Sequence, residues 1–218
     1  MKEKEEARLN ILKEYENKLH KNGIKYICGI DEAGRGPLAG PVVVAAVIMP
    51  ENSFIEGVND SKKVSEKKRE KLYEEIVKTA ISWSVAIVDE KKIDEINILN
   101  ATKRGVTECI AGLSVKPNVI AIDALENINT LGIPYEPIIK GDAKVYCISA
   151  ASIIAKVTRD RIMREYDEKY PQYGFVQNKG YGTSKHIQAI KEYGICDIHR
   201  KTFVKNFEGK WWVWILNQ

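Results

Sequence analysis

Four acidic side chains follow apolar stretches of this sequence, and their type and placement indicate chemistry. Asp31 and Glu32 are adjacent at the end of one apolar run, Asp123 ends a second run and Asp142 follows a third. Adjacent carboxylates where a buried segment reaches the surface are costly unless a cation neutralises them. Mg²⁺ and Mn²⁺ prefer such oxygen ligands. If the strand ends converge at one edge of a sheet, the four acids share a small volume, which predicts a metal-dependent active site.

The segment after the paired acids is a glycine loop that resembles a nucleotide-binding fingerprint. Gly34, Gly36 and Ala39 satisfy the pattern G-x-G-x-x-A. That fingerprint requires a helix to begin at the loop, whereas Pro41 here opens a Val-rich stretch typical of a strand. The sequence therefore predicts a strand hairpin whose glycines let a ligand approach the backbone closely. Arg35 would meet a phosphate or a sugar hydroxyl, and a plain turn is the alternative.

Two other segments predict phosphate contacts. Ser61 and Lys62 precede a predicted helix, whose N-terminus attracts anions; an ordinary solvated cap is the alternative. Ser149, Ser152 and Lys156 have the spacing i, i+3 and i+7, so they share one face of a later helix and would bind a phosphodiester backbone. The alternative for the two serines is hydrogen bonding back to helix carbonyls.

The C-terminal third carries an aromatic residue and two histidines of possible function. Tyr181 stands between Gly180 and Gly182, an arrangement that exposes the ring for stacking on a sugar or base. His186 and His199 are candidates for proton transfer. Because structural hydrogen bonding or a surface phosphate contact explains them equally well, we assign neither a catalytic role.

The composition describes a soluble globular chain. It has 218 residues, 44% hydrophobic and 29% charged, which suits one moderately large domain with or without a small appendage. The net charge of +4 is weak support for a polyanionic partner. The four cysteines form no C-x-x-C pair and are expected to be reduced thiols. The charged N-terminus and the lack of a membrane-length apolar run predict a cytoplasmic protein without membrane contact.

The elements that must position these residues follow from periodicity. Apolar residues with helical spacing predict helices over residues 5–21, 65–79, 91–113 and 145–168, and around 186–193 and 201–207. Leu99 is expected on the inner side of the helix over 91–113. Runs rich in β-branched residues predict strands over 25–31, 41–48, 81–88, 119–122 and 137–139. Early strands followed by alternating strands and helices predict an α/β fold, a mixed sheet with helices on both faces.

These motifs together resemble the ribonuclease HII family, the bacterial type 2 ribonucleases H. Residues 30–43, IDEAGRGPLAGPVV, are similar to its signature. Other blocks of the family have counterparts in the same order: DSK at 60–62, IKGD at 139–142, SAASIIAKVTRD at 149–160, KGYGT at 179–183, and HR at 199–200 followed by Phe203. The resemblance covers about residues 25–205, and an ordered series of this kind is highly specific.

The resemblance implies an RNase H-like fold, with a five-stranded mixed sheet flanked by helices and a C-terminal helical module. With the helix that periodicity predicts near the N-terminus, we expect a helical extension over 1–23, a catalytic domain over 24–170 and a substrate-binding module over 171–218. The resemblance further implies an endonuclease that hydrolyses the RNA strand of RNA–DNA hybrids and incises at single ribonucleotides in duplex DNA, leaving a 3′-hydroxyl and a 5′-phosphate.

The resemblance also implies the roles of individual residues. Asp31, Glu32, Asp123 and Asp142 would be catalytic and would hold two Mn²⁺ or Mg²⁺ ions. The segment Gly34-Arg35-Gly36 would read the ribose 2′-hydroxyl. Tyr181 would stack on the sugar just beyond the ribonucleotide and test that it is a deoxyribose.

Some alternatives stay open on the sequence alone. A related metal nuclease or strand transferase of the same fold class is one, and a duplex-binding protein whose acids pair with lysines is another. Nothing demands more than a monomer. The apolar, tryptophan-rich tail at 211–214 is expected to pack on its own domain, with nucleic acid or a partner such as a sliding clamp as alternatives.

Overall fold

The computed structural model describes residues 3–205, so the predicted role of the tail at 211–214 lies outside the described residues. The strands are β1 (Ile27–Ala33), β2 (Val42–Ile48), β3 (Ser82–Val88), β4 (Val119–Asp123) and β5 (Tyr135–Ile138). The helices are α1 (Glu3–Leu12), α2 (Glu14–Lys21), α3 (Glu66–Thr79), α4 (Glu90–Ala111), α5 (Gly141–Lys144), α6 (Tyr146–Lys169), α7 (Phe175–Asn178), α8 (Ser184–Tyr193) and α9 (Lys201–Val204).

The five strands form one mixed sheet in the order β3-β2-β1-β4-β5, which confirms the predicted fold class. β1, β2 and β3 pair antiparallel: the glycine-rich segment connects β1 to β2, and a longer segment that contains α3 connects β2 to β3. β1, β4 and β5 pair parallel. The parallel half brings the ends of β1, β4 and β5 to the same edge of the sheet.

Helices cover both faces of the sheet, as predicted. Successive side chains of a strand point to opposite faces, and every residue of β2 is buried. Val43 and Val47 pack in a cluster with residues of α1, α3 and α6. Val44 and Ile48 pack in a second cluster with residues of α4. The fully apolar sequence of β2 therefore results from its central position between two helical layers.

α6 packs against β1 without space for a side chain between them. A Cβ placed on Gly29 would lie 2.1 Å from the main-chain carbon of Cys147. Ala150, Ala151 and Ala155 of α6 are fully buried. This close contact fixes the position of the helix beside the segment that carries Asp31.

Several local predictions differ from the structure. The helix expected over 5–21 is divided at Lys13, whose side chain turns into the core and donates to the carbonyl of Ser53 at 2.9 Å. Leu99 is 42% exposed, because α4 is kinked at Asn97 (φ 65°) and the kink rotates the apolar stripe. Ser65 precedes α3 as predicted, but its side chain makes no capping hydrogen bond.

The C-terminal segment forms its own small hydrophobic cluster against the end of α6 and the glycine loop. Its buried members are Ala39, Met163, Tyr173, Phe175, Ala189, Ile190, Ile198 and Val204. Within residues 3–205, no helix combines the length and apolar character that crossing a membrane would need.

Candidate active site

The parallel strands bring three of the four predicted acids to one edge of the sheet. β1 and β4 pair up to Ile30 opposite Ile122, so Asp31 and Asp123 are the next residues on the two neighbouring strands. The expectation that Asp31 ends its strand is wrong, because β1 continues beyond it in its pairing with β2. At Asp31, β1 is therefore still paired with β2 but no longer paired with β4.

Asp142 approaches from the other side of Asp123. It lies in the first turn of α5, after β5, and not at a strand end. The N–H of Gly141 donates to Asp123 Oδ1 at 2.8 Å, which ties the start of α5 to the end of β4. The hydroxyl of Ser149 donates to the main-chain carbonyl of Asp142 at 2.7 Å. These contacts place Asp142 beside the sheet edge.

Burial and mutual repulsion act on these acids together. Burial, then the charge of Glu32, raises the pKa of Asp31 well above its ordinary value, while a hydrogen bond from Ser152 opposes the rise. Burial also raises the pKa of Glu32 and of Asp123, with Arg35 opposing the first shift and the Gly141 N–H opposing the second. A cation at this edge would relieve the repulsion among the acids.

Lys62 supplies one positive charge at the site. Its Nζ lies 2.9 Å from Asp142 Oδ2 and 3.8 Å from Asp60 Oδ1. Burial alone lowers the pKa of Lys62, but the hydrogen bond to Asp142 and the charges of the nearby acids raise it above its ordinary value. Because the side chain is 74% exposed, it has room to move toward a ligand.

The donor set suits a hard divalent cation. Carboxylate oxygens are the ligands that Mg²⁺ and Mn²⁺ prefer, and these carboxylates are desolvated and repel one another. Among residues 3–205, however, no three histidine, cysteine or acidic side chains converge closely enough to form a ligand group for one ion. The acids thus share one edge of the sheet without forming a closed cage.

The glycine loop, residues 34–41, connects β1 to β2 as the predicted hairpin and does not lead into a helix. Gly34 has φ 99°, a backbone conformation that favours glycine. A Cβ on Gly36 would lie 3.7 Å from the ring of Tyr181, whose side chain is 47% exposed. Arg35 Nη1 lies 3.4 Å from Glu32 Oε1. The structure therefore brings the glycine loop, Tyr181 and the paired acids together.

The predicted phosphate face of α6 is mostly internal. Ser149 is fully buried and donates to the carbonyls of Asp142 and Val145, so the expectation that it contacts phosphate directly is wrong. The hydroxyls of Ser152 and Ser61 are buried and lie 2.8 Å apart. The physical reason is the close packing of α6 on β1, which buries the helix face that carries these serines.

Lys156, on the same face, forms an ion pair with a neighbour on its own helix. Its Nζ donates to Asp160 Oδ1 at 2.6 Å, and burial lowers the pKa of Lys156 despite that bond. The side chain remains 22% exposed. Its ammonium group is thus partly accessible from solvent, unlike the serine hydroxyls.

The two histidines form a buried hydrogen-bonded chain, which agrees with the structural alternative. The N–H of Cys196 donates to His199 Nδ1 at 2.9 Å, so the His199 proton resides on Nε2. That Nε2–H donates to His186 Nε2 at 3.1 Å, and His186 Nδ1–H donates to the carbonyl of Tyr181 at 2.9 Å. Two neutral imidazoles satisfy every bond in the chain.

Sequence reasoning missed two arginines. Arg159 and Arg200 are fully buried, and their guanidinium groups donate to main-chain carbonyls of the glycine loop. Both residues belong to sequence motifs that resemble the family, but the motifs do not indicate that the two side chains contact the same loop.

The comparisons with known proteins agree with this geometry. A family model described as Ribonuclease HII matches residues 28–206. Ribonuclease HII of Acetivibrio thermocellus is 59% identical over 193 residues, which cover 88% of this chain and 75% of that protein. Ribonuclease HII of Ruminiclostridium cellulolyticum is 56% identical, with 94% and 80% covered.

Comparison with a solved structure supports the same fold. The PCNA:RNase HII complex from Archaeoglobus fulgidus matches with a TM-score of 0.70 and 31% identity, over 85% of this chain and 98% of that chain. The family match over residues 28–206 includes the glycine loop and the four acids. The chain therefore belongs to the ribonuclease HII family, whose members are metal-dependent endonucleases that hydrolyse the RNA strand of RNA–DNA hybrids.

Proposed function

We propose that Asp31, Glu32, Asp123 and Asp142 are the catalytic residues of this chain and that they would hold two divalent cations, Mn²⁺ or Mg²⁺. When bound, such cations supply an activated water, neutralise charge on the scissile phosphate and stabilise the leaving oxygen. The observation that carries the proposal is the meeting of Asp31 and Asp123 on paired parallel strands, with burial raising the pKa of both.

The side chains around the acids have supporting roles. Ser152, which lowers the pKa of Asp31 and whose hydroxyl lies 2.8 Å from that of Ser61, would orient the Asp31 carboxylate from the side of α6. Lys62 is exposed and mobile enough to exchange its bond with Asp142 for a phosphate oxygen of the substrate. Lys156 is the second proposed phosphate contact. Ser61 and Ser152 would support the substrate site from behind through the hydrogen bond between their hydroxyls.

The same site would recognise a ribonucleotide. The backbone of Gly34, Arg35 and Gly36 would bond the 2′-hydroxyl, the group that distinguishes RNA from DNA. Tyr181, whose ring lies against Gly36, would stack on the next sugar and favour a deoxyribose there. We therefore include incision at single ribonucleotides in duplex DNA, with 3′-hydroxyl and 5′-phosphate products.

The remaining proposals concern the whole chain. The solved complex of an archaeal RNase HII with PCNA supports a sliding clamp as a partner, which here would bind the tail at 211–214. We further propose that the protein is a monomer and that it is located in the cytoplasm. The chain would consist of a helical extension over 1–23, a catalytic domain over 24–170 and a substrate-binding module over 171–218.

A duplex with one ribonucleotide tests the proposed function. With Mn²⁺ or Mg²⁺, the protein should incise at the ribonucleotide, and a metal chelator should abolish incision. Equal cutting of the all-DNA duplex would instead indicate a related nuclease. Binding without cutting would indicate a duplex-binding protein.

Replacing one carboxylate separates catalysis from binding. Asp31→Asn should lower the cleavage rate by at least about 100-fold, because it removes one of the anionic ligands that would hold the cations. Binding of a hybrid, measured by fluorescence anisotropy, should change little. Glu74→Gln, at an exposed surface ion pair with Arg161, is the control and should retain full activity. Full activity of Asp31→Asn would refute the assignment of the metal ligands.

A further inference from the structure

Two buried arginines from the C-terminal third of the sequence contact the glycine loop. Arg159 belongs to α6, and Arg200 directly precedes α9. Both are fully buried, and the six hydrogen bonds of their guanidinium groups all end on main-chain carbonyl oxygens. Main-chain carbonyl dipoles therefore take the place of water around the two guanidinium groups.

Arg200 holds the first half of the glycine loop. Its Nη2 donates to the carbonyl of Gly34 at 2.6 Å and its Nη1 to that of Arg35 at 2.9 Å. Its Nε donates to the carbonyl of Gly40 at 2.9 Å. One planar group thus joins both ends of the loop, a task for which the fixed fork of arginine donors is suited.

Arg159 joins the loop to the segment that carries Tyr181. Its Nε donates to the carbonyl of Pro41 at 3.0 Å and its Nη2 to that of Ala39 at 3.1 Å. Its Nη1 donates to the carbonyl of Lys179 at 2.8 Å, two residues before Tyr181. The loop and the aromatic ring are therefore held relative to each other by one side chain.

The direction of the loop carbonyls determines the direction of the next N–H groups. In a planar trans peptide, the C=O and the following N–H point to opposite sides. Because the carbonyls of Gly34 and Arg35 point at Arg200, the N–H groups of Arg35 and Gly36 point away from it. Neither N–H donates to another atom of residues 3–205. They form a pair of outward donors beside the ring of Tyr181.

This arrangement is costly to build. Burial lowers the pKa of Arg159 to about 10 and that of Arg200 to about 9, and the charge of Arg159 adds to the second shift. A buried cation without a hydrogen-bonded carboxylate destabilises the fold relative to an apolar residue of similar size. A turn that only connected two strands would not require two buried guanidinium groups.

We propose that Arg159 and Arg200 are positioning residues for ribose recognition, which they control by aiming the Arg35 and Gly36 N–H groups at the 2′-oxygen and holding Tyr181 beside them. This inference rests on the proposed function of the glycine loop. The arginines touch neither the reacting phosphate nor the acids, so their effect should depend on the 2′-group of the substrate.

The test compares two substrates and three variants. The substrates are a DNA duplex with one ribonucleotide and the same duplex with a 2′-deoxy-2′-fluoro nucleotide at that position. Arg200→Lys and Arg159→Lys keep a buried positive charge but lose the fork. Arg161→Lys is the control, because Arg161 lies on the same helix and pairs with Glu70 at the surface. Cleavage is measured with Mn²⁺, and folding by thermal melting.

The expected result is a loss of kcat/KM on the ribonucleotide substrate that is much smaller on the fluoro substrate. Arg159→Lys and Arg200→Lys should each lower kcat/KM on the ribonucleotide by about 10-fold or more. On the fluoro substrate each should lower it by no more than about twofold, since the contact that the arginines orient is already weakened there. Arg161→Lys should match the wild-type chain on both substrates.

Other results would overturn the inference. Equal losses on both substrates, or no loss, would show that the arginines do not act through the 2′-group. Melting of both variants below the assay temperature would make the arginines determinants of folding and not positioning residues. A wild-type chain that fails to incise at the ribonucleotide would reject the proposed function, and the role of the arginines with it.

Discussion

Burial shifts the pKa values of the acids and the histidines in opposite directions, and both shifts favour the uncharged group. Burial raises the pKa of Asp31, which a bound cation would reverse. Burial and the neighbouring His186 lower the pKa of His199 to about 4, and no nearby cation site would change that. A histidine that stays neutral and already uses both ring nitrogens is a poor proton carrier, so its function here is to hold the carbonyl of Tyr181 through His186.

The histidine chain predicts a dependence of stability on pH. The pKa of His199 is lower in the folded chain than the ordinary value of 6.5, so the unfolded chain binds more protons as pH falls from 6.5 to about 4. The free energy of unfolding should therefore fall across that window, with an upper limit of about 3 kcal/mol from this group.

Urea unfolding of the wild-type chain and of His199→Gln between pH 8 and pH 4 measures this contribution. The difference between the two at pH 8 gives the cost of the substitution apart from titration. The variant should lose less stability than the wild type between pH 6.5 and pH 4. Parallel curves would show that His199 takes up its proton in the folded chain at an ordinary pH.

At the scale of elements, the contact between α6 and β1 positions most of the candidate site. β1 carries Asp31 and Glu32, while α6 carries Ser152 and begins directly after the turn that carries Asp142. The two elements meet at Gly29, where main chain touches main chain. A change in their separation would move the acids on one element relative to their partners on the other.

Gly29→Ala tests this contact. The added methyl group would overlap the backbone of Cys147, which cannot rotate away as a side chain can. We expect a loss of about 3 kcal/mol in the free energy of unfolding, in the range of overpacked cores, and a lower cleavage rate at temperatures where the variant is folded.

Gly36→Ala is the matched control for stability. A Cβ at Gly36 meets only the ring of Tyr181, at an ordinary 3.7 Å. Urea unfolding should therefore place this variant within about 0.5 kcal/mol of the wild type. If Gly29→Ala were equally stable, the helix and the strand would have more freedom to separate than the structure indicates.

For the molecule as a whole, the two ends of the described chain are part of the packing around the sheet. Leu9 and Leu12 of α1 join the cluster that contains Val43 and Val47 of the central strand. At the other end, Asp94 of α4 accepts from the N–H groups at the start of α9. Helix α1 thus contributes to the main core.

Two neighbouring positions on α1 test that contribution. Leu9 is fully buried, whereas Ile11 is 71% exposed. Leu9→Ala should lower the free energy of unfolding by about 3 kcal/mol, the cost of a cavity in a core, while Ile11→Ala should change it by less than about 0.5 kcal/mol. Chemical denaturation of both variants provides the measurement. Equal small effects would mean that α1 is only loosely attached.

Most of the strands and helices, the family and the candidate acids could be predicted from local sequence. The β-branched run of β2, the glycines of the loop and the apolar runs before Asp31 and Asp123 are properties of short segments, which can be read from neighbouring residues. The ordered blocks made the resemblance specific. The kink in α4 was missed, although Asn97 accepts a hydrogen bond from the N–H of Asn100, as the N-cap of a helix does.

Which side chains line the site and which support it from behind could not be predicted, because it depends on contacts between distant parts of the chain. Arg200 and Gly40 lie 160 residues apart in the chain, and their contact depends on how the C-terminal segment packs on the hairpin. The spacing of Ser149 and Ser152 indicates a shared helix face, but whether that face meets solvent or β1 depends on the packing at Gly29. Periodicity defines a face of an element, whereas the assembled core determines what that face contacts.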